Sequence, residues 1–265
     1  MEILIGVVAV TAGLVAMFAA GTGKQRRHVM LRQLATTLGG RHTQTSAYGH
    51  RGGADVRFEH TTRGAGKTKE YWTTIDVTVL AVYPLALHVR RHRWFERDGV
   101  ARGGVVDLPL GDRPFDEAFL VEAAPEDIAR VLLDAEVRDA LMSYERVELD
   151  TVTIGNSKVL RLAIRGWIVD ASSAGFAIDL IAGIGGRVQH AFATVDGAVP
   201  VRVVGSPYRP ELEARPLRDV AAARFAEVAM LEERRARRAR RNRLIVAAAV
   251  VAAALLGWLI LVYSA

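Results

Sequence analysis

From Arg234 to Tyr263 the sequence reads RRARRARRNR and then LIVAAAVVAAALLGWLILVY, so seven arginines in ten positions abut twenty uncharged, mostly apolar residues. A helix rises about 1.5 Å per residue, and twenty residues therefore cover about 30 Å, the thickness of a bilayer's hydrocarbon core. The pattern predicts a C-terminal membrane helix over 244–265, with the arginine side kept in the cytoplasm.

A second uncharged run, ILIGVVAVTAGLVAMFAA, occupies 3–20. It is long enough for about 27 Å of helix. A cleaved signal peptide needs a basic segment ahead of its apolar core. Here only Met1 and Glu2 precede the run, and Lys24, Arg26 and Arg27 follow it. An uncleaved N-terminal span over 1–22 is expected. Both basic flanks face the region between the spans. That arrangement predicts a two-pass inner-membrane protein with a cytoplasmic central domain and both termini outside. Trp258 and Tyr263 suit the outer aromatic belt. Ala9 and Gly13, and Ala249, Ala253 and Gly257, have the small-residue spacing that permits close helix pairing.

Composition matters here for where the charge sits. The chain is +6 overall; the three cations at 24–27 and the seven arginines at 234–243 have no acid among them and leave −4 for everything else. The basicity is juxtamembrane, and no nucleic-acid partner is expected. Lys24, Arg26, Arg27, Arg234, Arg235, Arg237, Arg238, Arg240, Arg241 and Arg243 are expected to set topology and meet anionic lipid headgroups. With no cysteine, disulfides and thiolate chemistry are excluded. Arginine supplies 31 of 35 basic residues, which together with the alanine and valine content points to a GC-rich bacterial genome.

The central domain, 23–195, reads as α+β with a mostly antiparallel sheet and packed helices. Apolar residues at 30, 31, 34, 35 and 38 predict a helix over 29–38, stopped by Gly39-Gly40. RHTQTSAYGHRGG reads as a loop or irregular strand. Val56–His60 and EYWTTIDVTVLAV read as strands around the polar turn 61–69, and LALHVRRHRWF as another, with 85, 87 and 89 inward. The segment 105–110 reads as short and extended, and FDEAFLVE (115–122) as a strand. Pro125 opens a helix through PEDIARVLL, and Asp134 caps a second, AEVRDALMSYE. VELDTVTI and KVLRLAIRGWIV form a hairpin about GNSK. Ser172 or Ser173 caps a glycine-bearing helix over 174–193.

An extended linker is expected over 196–216. A juxtamembrane helix follows over 217–243 and continues unbroken into the second span. Leu217, Val220, Ala221, Phe225, Val228 and Leu231 line one side of it, with Arg224 interrupting the stripe's edge. Leu217, Val220, Phe225, Val228 and Leu231 are the expected interface with the domain, another copy or a partner protein.

Candidate chemistry is thin. GAGKT at 64–68 resembles the end of a phosphate loop, but Thr61 stands where a glycine is needed and a strand follows where a helix is needed. His88 and His92 are surrounded by arginines, which favours a basic strand face over a metal site. His42, His50 and His60 lack an acidic partner at a telling spacing. AGIGG at 182–186 lacks a dinucleotide fingerprint. Asp116, Glu117, Glu122, Glu126 and Asp127 are explained by strand faces and a helix's first turn. No catalytic, cofactor or metal residues are assigned. The expected role is a non-enzymatic binding or scaffold module, with lipid or small-ligand binding in a cavity under the 174–193 helix as the alternative. A membrane-bound hydrolase using the histidines and carboxylates ranks last.

Overall fold

The computed structural model describes residues 24–78, 84–92, 107–154, 157–196 and 215–263. In order these form α1 (24–37), β1 (Arg41–His42), β2 (Ser46–Arg51), β3 (Ala54–Arg63), β4 (Glu70–Thr78), β5 (Ala86–Arg91), α2 (Arg113–Ala118), β6 (Phe119–Ala124), α3 (Glu126–Leu132), α4 (Ala135–Met142), β7 (Val147–Ile154), β8 (Ser157–Arg165), α5 (Ala171–Asp196) and α6 (Arg215–Tyr263). The fold is α+β, around one eight-stranded antiparallel sheet of order β1-β2-β3-β4-β8-β7-β5-β6.

Two neighbouring rows of residues show how the sequence builds this sheet. Ala47, Phe58, Ile75, Leu162, Leu149, Val89 and Val121 are register partners across seven strands, and all are buried. One residue along each strand, the side chains point to the other face. There the row reads Arg41, Tyr48, Arg57, Asp76, Arg161, Asp150, His88 and Glu122, across all eight strands. A one-residue slip in any strand would exchange an apolar for a polar side chain, so the register is strongly specified. The expectation of a basic face around His88 is corrected: that face carries both signs.

The apolar face is covered by α1 and α5. The stripe Met30, Leu31, Leu34, Ala35 and Leu38 is buried as the spacing predicts. The amides of Gly39 and Gly40 bond the carbonyls of Thr36 and Ala35, and Gly39 adopts φ 62°, which closes α1 as a Schellman cap. The helix begins earlier than its apolar stripe, so Lys24, Arg26 and Arg27 are helical. On α5, Ala174, Ile178, Ile181, Ile184 and Val188 face the core. A Cβ on Gly185 would lie 3.4 Å from Val77 and 3.7 Å from Leu160. That glycine serves close approach of helix to sheet and so gives no argument for a cavity. The cap is Asp170, whose side chain accepts from the Ser173 amide, rather than Ser172 or Ser173.

Three other segments depart from expectation. RHTQTSAYGHRGG forms two strands, since register pairing with β3 recruits a segment of weak intrinsic pattern. In 115–122 the first half is helical: Asp112 accepts from the Phe115 amide and Pro114 sits in the first turn, so capping outweighs the β character of the phenylalanines. Of 105–110, only 107–110 is described, without regular structure. The hairpin of β7 and β8 forms as expected, with Ile154 paired to Ser157 and 155–156 outside the described residues.

Helix α6 runs unbroken for 49 residues, as expected. Its N-terminal half lies on the sheet's polar face at β5 and β6, where Val228 and Leu231 pack with Ala86 and Ala124. Of the expected interface only these two are buried; Phe225 is exposed, and Leu217 and Val220 fall on first turns whose side chains lie outside the described set. The two expected spans find no support among the described residues. The first, 3–20, lies outside them, as does most of the 196–216 linker. No helix among the described residues is long and apolar enough to cross a membrane. From Leu244 to Leu256, where side-chain exposure is described, every α6 residue is exposed.

Candidate functional site

The densest polar cluster lies where α6 crosses the sheet. Glu122 on β6, His88 on β5 and Asp150 on β7 are register partners in the polar row. His88 Nδ1 and the Asp150 carboxylate are bonded directly. Glu122 is only 3% exposed. A buried carboxylate is costly unless paired, and α6 supplies the pairs. Arg238 donates to Glu122 Oε1 at 2.5 Å, Arg235 Nε lies 3.9 Å from Glu122 Oε2, and Arg235 Nη2 reaches Asp150 Oδ1 at 3.5 Å. Further along the row, Arg161 holds Asp76 with two bonds of 2.7 and 2.9 Å. This bidentate contact raises the Arg161 pKa above its ordinary value.

A second clasp lies three to four helical turns earlier. Arg224 donates to both oxygens of Asp127, at 3.1 and 2.6 Å. Between the clasps, Ala123, Ala124, Glu126, Asp127, Arg130 and the α6 residues Arg224, Glu227, Met230, Leu231 and Arg234 enclose an open groove of about 490 Å³. Lys158 approaches Glu232 at 3.8 Å, and burial pulls its pKa down.

The arginine run is thereby divided in its local contacts. Arg235 and Arg238 point at the sheet, and Arg237 pairs with Glu233 on the helix itself at 2.6 Å. Arg234 borders the groove. Arg240, Arg241 and Arg243 are exposed. At the other flank, Arg27 stacks over the Trp167 ring at 4.5 Å, while Lys24 and Arg26 are exposed. Arg224, read as an interruption of an apolar stripe, is an anchor.

The remaining candidates are accounted for locally. Gly66–Thr68 is a short 3-10 turn joining β3 to β4, and Gly64 and Gly66 have φ of 81° and 57°, which glycine alone adopts freely. AGIGG is interior to α5. The His92 side chain is 8% exposed, with Nε2 3.8 Å from Asp107, whose own burial raises its pKa. His50 pairs with exposed Asp55, His42 lies against His28, and His60 donates from Nε2 to the Ile168 carbonyl at 2.9 Å; the structure does not bring the three together. Burial pulls the His60 pKa down to about 4, with nearby Arg27 adding to the shift. Asp116 accepts from the amides of Leu110 and Gly111, and Glu117 pairs with Arg113. Among the described residues no group of three or more histidine or acidic side chains is arranged to hold a metal.

Sequence reasoning missed Glu122, Asp150, Asp127 and Arg224 as a set. Each partner lies on a different element, and the one available signal was an arginine at the edge of an apolar helical stripe. The chain matches no family model, no curated protein and no solved structure.

Proposed function

We propose that this chain is a membrane-tethered, non-enzymatic binding or scaffold module whose sheet domain is held at a fixed height by α6. One observation carries the reading: the helix clasped to the sheet by Arg224, Arg235 and Arg238 continues into Leu244–Leu256 with every side chain exposed. A helix apolar all round needs a covering, from protein or from lipid. The uninterrupted apolar sequence to Tyr263 and the exposed Arg240, Arg241 and Arg243 beside it favour lipid, with the arginine side in the cytoplasm.

The strand directions support two anchors. Along α6, residue 224 meets Asp127, 228 and 231 meet Ala124, and 235 and 238 meet Glu122, so α6 runs antiparallel to β6. It heads for the end of the sheet where Arg63 pairs with Glu70 in register. Helix α1 starts at that same end, with Arg27 on Trp167, and finishes at the other, where Leu38 accepts from the His50 amide. Helix α1 therefore begins, and α6 leaves the sheet, at one end, as a two-pass cytoplasmic domain requires. The groove beside α6 offers a place for a partner protein.

The test uses the cysteine-free chain. Single cysteines at Ile154 and Val250, in native membranes, are probed with a membrane-impermeant thiol reagent, and membranes are washed with alkaline carbonate. Retention in the pellet, a shielded Val250→Cys and an Ile154→Cys labelled only after permeabilisation are expected. Release by carbonate overturns the tether. For the binding role, photo-crosslinkers at Phe225 and Met230 are expected to give a protein adduct of defined mass; a monomer without adducts overturns it.

A further inference from the structure

At the Arg63–Glu70 end of the sheet, four apolar side chains stand in solvent. Tyr71, Trp167, Val169 and Val29 are between 37% and 56% exposed. They are neighbours: the Tyr71 and Trp167 rings meet edge to face at 4.5 Å, and Val29 and Val169 flank one shallow depression, of about 620 Å³, with Gln25, Arg26, Ala171 and one acid, Asp170. Cations rim the patch. Arg27 lies over Trp167 at 4.5 Å and Lys69 over Tyr71 at 5.7 Å, and Lys24, Arg26 and Lys67 are exposed beside them. Aromatic rings among aliphatic side chains and basic residues match a headgroup boundary, where ring and stem enter the acyl edge and the charge stays with phosphate.

We propose that this end of the domain docks on the surface of an anionic phospholipid bilayer. The inference deepens the tethered reading and rests on it. Three observations choose lipid as the occupant. The patch is contiguous with α1, whose first residue, Lys24, comes four positions after the end of the apolar run 3–20 in the sequence. It also lies at the end of the sheet toward which α6 leads its own apolar run. And both lie beyond the Glu122 row on the same side: Tyr71 is five residues along β4 from Asp76, about 17 Å, and Leu244 is six residues past Arg238, about 9 Å of helix. The patch and the start of the apolar helix thus leave the sheet at the same end, and headgroups around the helix would meet Trp167 and Tyr71. Each basic side chain near an anionic surface adds to the attraction, which decays over a Debye length of about 10 Å at 0.1 M salt.

The experiment places a spin label at single cysteines Val169→Cys, Val29→Cys, Ile154→Cys and Val250→Cys in the full-length chain. The proteins are reconstituted into vesicles of phosphatidylcholine with phosphatidylglycerol, and of phosphatidylcholine alone. Collisions with a water-soluble relaxant and with oxygen give each label's depth. In the anionic vesicles the labels at 169 and 29 are expected to be several-fold less accessible to the aqueous relaxant than the label at 154. Replacing the anionic lipid, or adding 1 M salt, which cuts the Debye length to about 3 Å, is expected to restore their access. Labels at 169 and 29 as accessible as that at 154, while 250 stays in lipid, overturn the docking and leave the tether standing. A label at 250 that is open to water overturns the tether and with it this inference. Shielding at 169 that is identical without anionic lipid and in high salt overturns the electrostatic docking and points to protein contact instead.

Discussion

Arg238 on the long helix donates to Glu122 on the edge strand at 2.5 Å, across 116 residues of sequence, and that carboxylate is buried. The pair joins the helix that carries the apolar tail to the sheet that carries the domain. It turns an arginine of the juxtamembrane run into a structural part.

Removing Arg238 strands a buried charge. Arg238→Ala is expected to cost about 2–3 kcal/mol, less than for an isolated buried pair because Arg235 remains within 3.9 Å of Glu122. Glu122→Gln in the same background should recover part of that loss, giving a clear coupling energy in a double-mutant cycle. Arg241→Ala, at an exposed position, should stay within about 0.5 kcal/mol of the parent. Urea unfolding in a mild detergent would measure all four. Equal effects of the 238 and 241 variants would refute the division of the run.

The upper clasp is more exposed and should matter less. Asp127 is nearly half open to solvent, so Arg224→Ala is expected to cost about 1 kcal/mol. Its signature is local. Amide exchange should quicken in 222–231 of α6 and at the start of α3, while the β3–β4 pair stays protected.

Helix α1 sits on β2 with no room for a methyl group. A Cβ on Gly49 would lie 2.4 Å from both the Cβ and the carbonyl oxygen of Leu38, and one on Gly40 would lie 1.9 Å from the Tyr48 carbonyl. Gly49→Ala is expected to cost about 3 kcal/mol or to prevent folding, since a packed interior resists even small additions. Gly52→Ala at the nearby tight turn meets no atom within 4 Å, and its cost should come from the strain of φ 58° alone, about 1 kcal/mol. Thermal melts of the two variants should rank in that order.

His60 makes the fold acid-sensitive. Its Nε2 donates to the Ile168 carbonyl, and its Nδ1 is buried without a partner, so the neutral ring is the form the fold accepts. The folded pKa is about 4, against about 6.5 unfolded, so the unfolded chain takes up the proton first as pH falls. The stability is fully present above pH 6.5, is lost progressively between 6.5 and about 4, and changes no further below that. The loss should be on the order of 2 kcal/mol after allowing for residual hydration of the ring. His60→Gln keeps a donor without a titrating ring and is expected to flatten this part of the stability–pH curve. An unchanged slope would show that other groups carry it.

Much of the sheet was legible because strand signals are local. Alternation in EYWTTIDVTV and KVLRLAIR places Ile75, Val77, Leu160 and Leu162 inward whatever their partners are. The stripe of α1 and the cap at Asp134, which accepts from the Val137 amide, were equally local. The helix at 113–118 was not, because Asp112 and Pro114 acted before two phenylalanines that read as strand. The clasps were not legible as pairs. Arg224 stood out only as a cation at the edge of an apolar stripe and Arg238 not at all from Arg241, since what makes each an anchor is a carboxylate about a hundred residues away.

The sequence by itself determined the periodicities: which faces of most strands and helices are apolar, caps such as Asp134 and Gly39, and that the chain carries apolar runs near both termini with cations on the inner flanks. These follow from residues within a few positions of one another, and short-range sterics and hydrogen bonding act at that range. Only the tertiary structure decided which strands are neighbours, that a mixed-charge row spans all eight of them, and that α6 crosses that row, antiparallel to β6, toward the same end at which α1 begins. Desolvation is the physical reason. A buried carboxylate such as Glu122 must find a cation, and which arginine answers depends on how the strands are ordered, not on the residues beside it.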